Sequence, residues 1–85
     1  MENELERLRE TIDEIDKELV EVFTKRMETS RRIGEYKREQ GLPVFMPERE
    51  RIVINRVRAL AEPELAYYTQ ELYEKVIELC REYQE

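Results

Sequence analysis

The sequence has no tryptophan and no histidine, a single cysteine, two glycines and three prolines in 85 residues. Without histidine there is no imidazole for acid–base catalysis and no triad of the Ser-His-Asp kind. One cysteine, Cys80, cannot close an intrachain disulfide or build a cysteine zinc site, and with no histidine either no metal is expected. No base stands ready to activate that thiol, and it reads as a small buried hydrophobe. No apolar run approaches the roughly 18 residues that a membrane helix needs, and no secretory leader pattern precedes the first periodic residue. The chain therefore reads as soluble and cytoplasmic, with no membrane partner. An excess of basic residues is also missing. The formal net charge is −6, which argues against nucleic acid, since phosphate binding wants clustered cations. A small anion held by a local group of Arg and Lys remains compatible with that total.

What is present is helix. Charged residues make up 42% and apolar residues 40%, and the apolar ones are spaced periodically, which separates the chain from disordered sequences of similar charge. Leu5, Leu8, Ile12, Ile15, Leu19 and Val22 recur at steps of three and four, the seam of an amphipathic helix. Nothing breaks that helix before Gly41-Leu42-Pro43, a left-handed cap followed by a residue that bars continuation. The spacing predicts a first helix over about 4–40. A second is expected over about 47–61, opened by Pro47, and a third over about 63–84, opened by Pro63. The third carries a main seam of Leu65, Tyr68, Leu72, Val76, Leu79 and Tyr83, with Tyr73, Ile77, Cys80 and Gln84 in a row beside it. The whole of 1–85 reads as one all-α domain.

The first helix is too long for a compact monomer. Thirty-seven residues at 1.5 Å each span about 55 Å, whereas a globule of this length has a radius of gyration of roughly 12 Å and a diameter of about 30 Å. A second copy lying alongside is the simplest cover for the protruding apolar stripe.

Continuing that stripe at 100° per residue brings Arg26, Ser30 and Lys37 onto the apolar face, with Arg9 at its edge. A buried cation needs an anionic partner, either a carboxylate of the protein or a ligand. Other charges, among them Lys25, Arg38 and Glu39, read as solvated surface. On the second helix Arg49 aligns with inward Val53, although a cation opposes the dipole there. Glu50 aligns with Ile54 and Val57.

Taken together, Leu8-Arg9, Ile12-Asp13, Ile15-Asp16, Arg26, Ile33-Gly34, Tyr36-Lys37, Gly41-Leu42-Pro43-Val44, Pro47-Glu48-Arg49-Glu50 and Gln84 resemble the all-helical (type II) chorismate mutases over essentially the whole chain. The spacing agrees along with the residue types: 17 residues from Arg9 to Arg26, 11 to Lys37 and 12 more to Arg49. The resemblance implies an intertwined homodimeric helical bundle that rearranges chorismate to prephenate without a cofactor, in phenylalanine and tyrosine biosynthesis. It implies that Arg9, supplied across the interface, and Arg26 bind the two substrate carboxylates. It further implies that Lys37 and Gln84 donate to the ether oxygen, that Glu50 accepts from the ring hydroxyl, and that Arg49 lines the pocket. Met46 stands where an Asp often precedes the second helix, and Cys80 where a Ser often lies near a carboxylate, so both belong to the expected binding set. The competing readings are an isochorismate–pyruvate lyase of the same fold and a non-catalytic helical dimer module whose charges form salt bridges.

Overall fold

The computed structural model describes residues 3–84; residues 1, 2 and 85 of the expected domain lie outside them. Three α-helices follow one another, α1 (Glu4–Gln40), α2 (Pro47–Leu60) and α3 (Ala66–Gln84). Asn3 caps the start of α1 by accepting the Glu6 N–H at 2.8 Å, with Glu4 and Glu6 at the positive end of the helix dipole. At the other end Gly41 takes the left-handed conformation, φ 68°, and Leu42 N–H returns to the Lys37 carbonyl at 2.8 Å. That closure satisfies the last carbonyls and turns the chain. Pro47 opens α2, whose cap residue Met46 provides no side-chain acceptor. The stretch 63–65, expected as the first turn of the third helix, is instead a separate 3-10 turn, Pro63–Leu65. The ring of Pro63 has no N–H to offer, and the tighter turn satisfies the entry through Leu65 N–H to the Glu62 carbonyl.

The second half of α1 packs against α3, and α3 also packs against α2. The core this makes is small: Val53 and Val57 from α2, Val76 and Cys80 from α3, with Ser30 and Gly34 from α1. Gly34 has a definite task. A Cβ there would lie 3.0 Å from Cβ and Cγ of Gln84, so the missing side chain lets the last turn of α3 close on α1. A helix-interior glycine costs about 1 kcal/mol relative to alanine, and this contact offsets it.

The first half of α1 has nothing of its own chain beside it. Leu5, Leu8, Ile12, Ile15, Leu19 and Val22 are each 49–56% exposed. The molecule measures 61 × 26 × 15 Å, and its radius of gyration is 16.6 Å, well above the roughly 12 Å of a compact chain of this length. It exposes 7224 Å², where a compact monomer of this size exposes roughly 5,400 Å². One seam falls differently from the sequence reading. On α3 the row of Tyr73, Ile77, Cys80 and Gln84 faces the other helices together with Val76 of the nominal main seam; Leu79 of that seam is half-buried, while Tyr68, Leu72 and Tyr83, and Leu65 just before the helix, are exposed. The helix has two apolar faces, and periodicity alone does not say which one its own chain covers. Among the described residues, no helix is long and apolar enough to cross a membrane.

Candidate active site

A cleft of about 490 Å³ opens where the three helices meet, within the size range of small-molecule sites. From α1, Arg26, Ser30 and Lys37 line it; from α2 and the residue before it, Met46, Arg49, Glu50 and Arg56; from α3, Cys80, Arg81 and Gln84. The cleft therefore gathers every residue expected at the site except Arg9. Arg9 lies 17 positions before Arg26 on one unbroken helix, which puts it about 25 Å away along the axis. It is exposed, and its own chain cannot bring it to this cleft.

The arrangement inside is mostly donors. Arg26 is half-buried; Nη1 donates to Cys80 Sγ at 3.0 Å, and the guanidinium lies 5.7 Å from the centre of the Tyr73 ring. A thiol is a weak acceptor, so that guanidinium keeps most of its capacity for an anion. Lys37 Nζ donates to the Val44 carbonyl at 3.2 Å. One acceptor for three N–H bonds leaves two directed elsewhere. Gln84 Nε2 donates to Ser30 Oγ at 2.6 Å, and Ser30 Oγ in turn donates to the Cys80 carbonyl at 3.5 Å. Buried Ser30 thus fixes the amide, whose second N–H remains free for the cleft. Arg38, read from the sequence as solvated surface, holds the same turn, because its Nη1 donates to the Gln84 carbonyl.

Salt bridges within the chain do not absorb these cations. Among the described residues, Arg26, Lys37, Arg49 and Arg56 have no ion-pair partner, whereas Glu50 is paired with Arg81 at 2.6 Å. Among the described residues, five cations and one carboxylate give the cleft a local excess of four positive charges in a chain of net charge −6. Elsewhere on α1 the pKa of the Arg31 guanidinium is raised above its ordinary value, first by Glu35 and then by its hydrogen bond to Glu28.

Arg56 and Arg81 were missed by the sequence reading. A signal existed for Arg81, which lies four residues after Ile77 and three before Gln84, on the same helical face. An arginine near a helix C-terminus also has an ordinary explanation in the dipole, which masks that signal.

An all-helical protein whose cleft gathers five cations and the amide of Gln84, with no imidazole in its sequence, is suited to hold a small anion. Its sequence places it among proteins of that kind. The family model described as chorismate mutase type II matches residues 8–85, and the chain belongs to that family. It is 41% identical over 73 residues to the T-protein of Haemophilus influenzae, which covers 86% of this chain and 19% of that protein. It is 35% identical over 82 residues to the bifunctional chorismate mutase/prephenate dehydratase of Aquifex aeolicus, covering 91% and 23%. To the 4-amino-4-deoxychorismate mutase of Streptomyces venezuelae it is 35% identical over 83 residues, covering 94% and 81%. The chain spans about a fifth of the length of the first two relatives.

Proposed function

We propose that the chain is a cofactor-free, cytoplasmic chorismate mutase that converts chorismate to prephenate as an intertwined homodimer, in phenylalanine and tyrosine biosynthesis. The observation that carries this reading is the cleft's set of unpaired cations beside a fixed amide, Arg26, Lys37 and Gln84. Chorismate is a dianion, and its [3,3]-rearrangement breaks a C–O bond as a C–C bond forms, with no proton transferred. Such a reaction needs the flexible enolpyruvyl arm held over the ring, and donors placed where negative charge grows on the departing ether oxygen. Arg26 and Arg9 of the partner subunit grip the two carboxylates, as guanidinium groups do bidentately. Lys37 and Gln84 donate to the ether oxygen, Glu50 accepts from the ring hydroxyl, and Arg49 adds positive potential to the wall.

The second subunit has two supports. Arg9 is some 25 Å from its own cleft by helix geometry, and the half of α1 that carries it presents an uncovered apolar stripe. The excess exposure of roughly 1,800 Å² per chain over a compact monomer is of the size that obligate homodimers bury.

The test is to follow chorismate consumption by ultraviolet absorbance and identify the product. Prephenate is expected. Pyruvate would point to the lyase reading, and no turnover by a folded protein would point to a non-catalytic module. One relative carries a 4-amino analogue of chorismate in its name, which makes the ring substituent a separate question for this cleft.

A further inference from the structure

Among the described residues Glu50 is the single carboxylate lining the cleft, and it is held from one side by Arg81. Arg81 Nη2 donates to Oε2 at 2.6 Å and to Oε1 at 2.7 Å, and Nε donates to Oε2 at 3.2 Å. The guanidinium is itself fixed, resting 4.4 Å from the centre of the Phe45 ring. Both side chains are about one-third exposed, 36% and 29%, at the edge of the cleft rather than in open solvent.

A carboxylate has about four lone-pair positions, and three of the contacts above are already spent on Arg81. Oε2 is filled, while Oε1 retains one position for a single further donor. The charge of Glu50 is also compensated, so the carboxylate works as a neutral-side acceptor and not as a free anion. Arg81 thereby removes the repulsion that a lone carboxylate would exert on a dianion entering the cleft. The same guanidinium stands beside whatever group Glu50 accepts from. A hydroxyl suits this site: one O–H, no charge, one vacant lone pair. A primary amine, protonated at neutral pH, brings a cation next to Arg81 and finds its natural counter-ion already paired.

We infer that Arg81 is a positioning and specificity-determining residue, which by clamping and neutralising Glu50 makes the cleft select a ring hydroxyl over a ring ammonium. The inference rests on the mutase reading and goes beyond it, since nothing in that reaction requires a cation at position 81.

The experiment measures kcat/KM at pH 7 for chorismate and for 4-amino-4-deoxychorismate with the wild-type protein, Arg81→Met and Arg81→Lys, with circular dichroism and thermal unfolding as checks on folding. The wild type is expected to prefer chorismate. Arg81→Met is expected to shift the ratio toward the amino compound by roughly tenfold or more, the scale of one nearby charge in a partly screened site. Arg81→Lys, which keeps the charge, is expected to retain most of the preference. A folded Arg81→Met protein with an unchanged ratio, even if slower on both compounds, would overturn the inference while leaving the mutase reading intact. A wild type that turns over neither compound would overturn both.

Discussion

At the scale of single residues, the cleft is an arrangement of donors, most of whose cations have no protein carboxylate partner among the described residues. Arg26 and Lys37 stand on an apolar helix face yet have no carboxylate partner among the described residues, an arrangement that makes sense for a site awaiting an anion. Arg26→Ala or Lys37→Ala is expected to lower kcat/KM for chorismate by at least 10²–10³-fold, the usual consequence of deleting a donor to developing charge. Steady-state kinetics beside an unchanged helical spectrum would check this, and near-normal turnover in either variant would remove that residue from the mechanism. Gly34 governs Gln84 indirectly. Alanine at position 34 has no room, since its Cβ would meet the Gln84 side chain at 3.0 Å, so the terminal turn must shift by a few tenths of an ångström. We expect Gly34→Ala to slow turnover by about tenfold, because small displacements of catalytic groups are costly. Its melting temperature should stay about level, since alanine's helix preference of about 1 kcal/mol is set against the loosened contact with α3. The places of Arg26 and Lys37 on an apolar face were legible because helical periodicity fixes the angle at which a residue projects, whereas Gln84 was picked out by the family resemblance. Arg56 and Arg81 were not, because their positions in α2 and α3 have ordinary surface explanations until the cleft is seen. The grip of Arg38 on the Gln84 carbonyl spans 46 positions of sequence and leaves no local trace.

At the scale of elements, each helix is specified by its ends as much as by its seam. Asn3 and Gly41 close α1 on both sides, whereas α2 begins at Met46 with no side-chain acceptor for its first free N–H groups. Because Pro47 has no N–H, those groups belong to Glu48 and Arg49. Met46→Asp would cap them, and thermal unfolding is expected to show a gain of about 1 kcal/mol. That corresponds to a rise of about 4–8 °C in Tm for a domain of this size, and a fall would show that the Met46 side chain contributes packing that outweighs a cap. The long first helix was readable because no proline and only one glycine interrupts the pattern through residue 40. The 3-10 turn at Pro63–Leu65 was not, since a proline start fits either kind of helix. The burying face of α3 was also hidden. Two apolar rows run along it, and only the packing against α1 and α2 decides that Val76 and Cys80 lie inside while Tyr68 and Leu72 remain at the surface.

At the scale of the molecule, the proposed dimer accounts for two features of the chain. Its packed half holds a cleft with all the expected groups but Arg9, and its other half is an uncovered helix bearing Arg9 and the apolar stripe. The proposed symmetric pair would satisfy both halves at once, covering each arm and bringing the other chain's Arg9 to each cleft. Complementation tests this directly. Arg9→Ala and Lys37→Ala are each made inactive, then unfolded and refolded together at equal concentration. If each site draws Lys37 from one chain and Arg9 from the other, half of the random dimers contain one chain of each kind, and one of their two sites is intact. The account predicts that the mixture recovers about a quarter of wild-type chorismate turnover per chain, as two-fold pairing requires. A refolded mixture no more active than the two variants measured apart would contradict it.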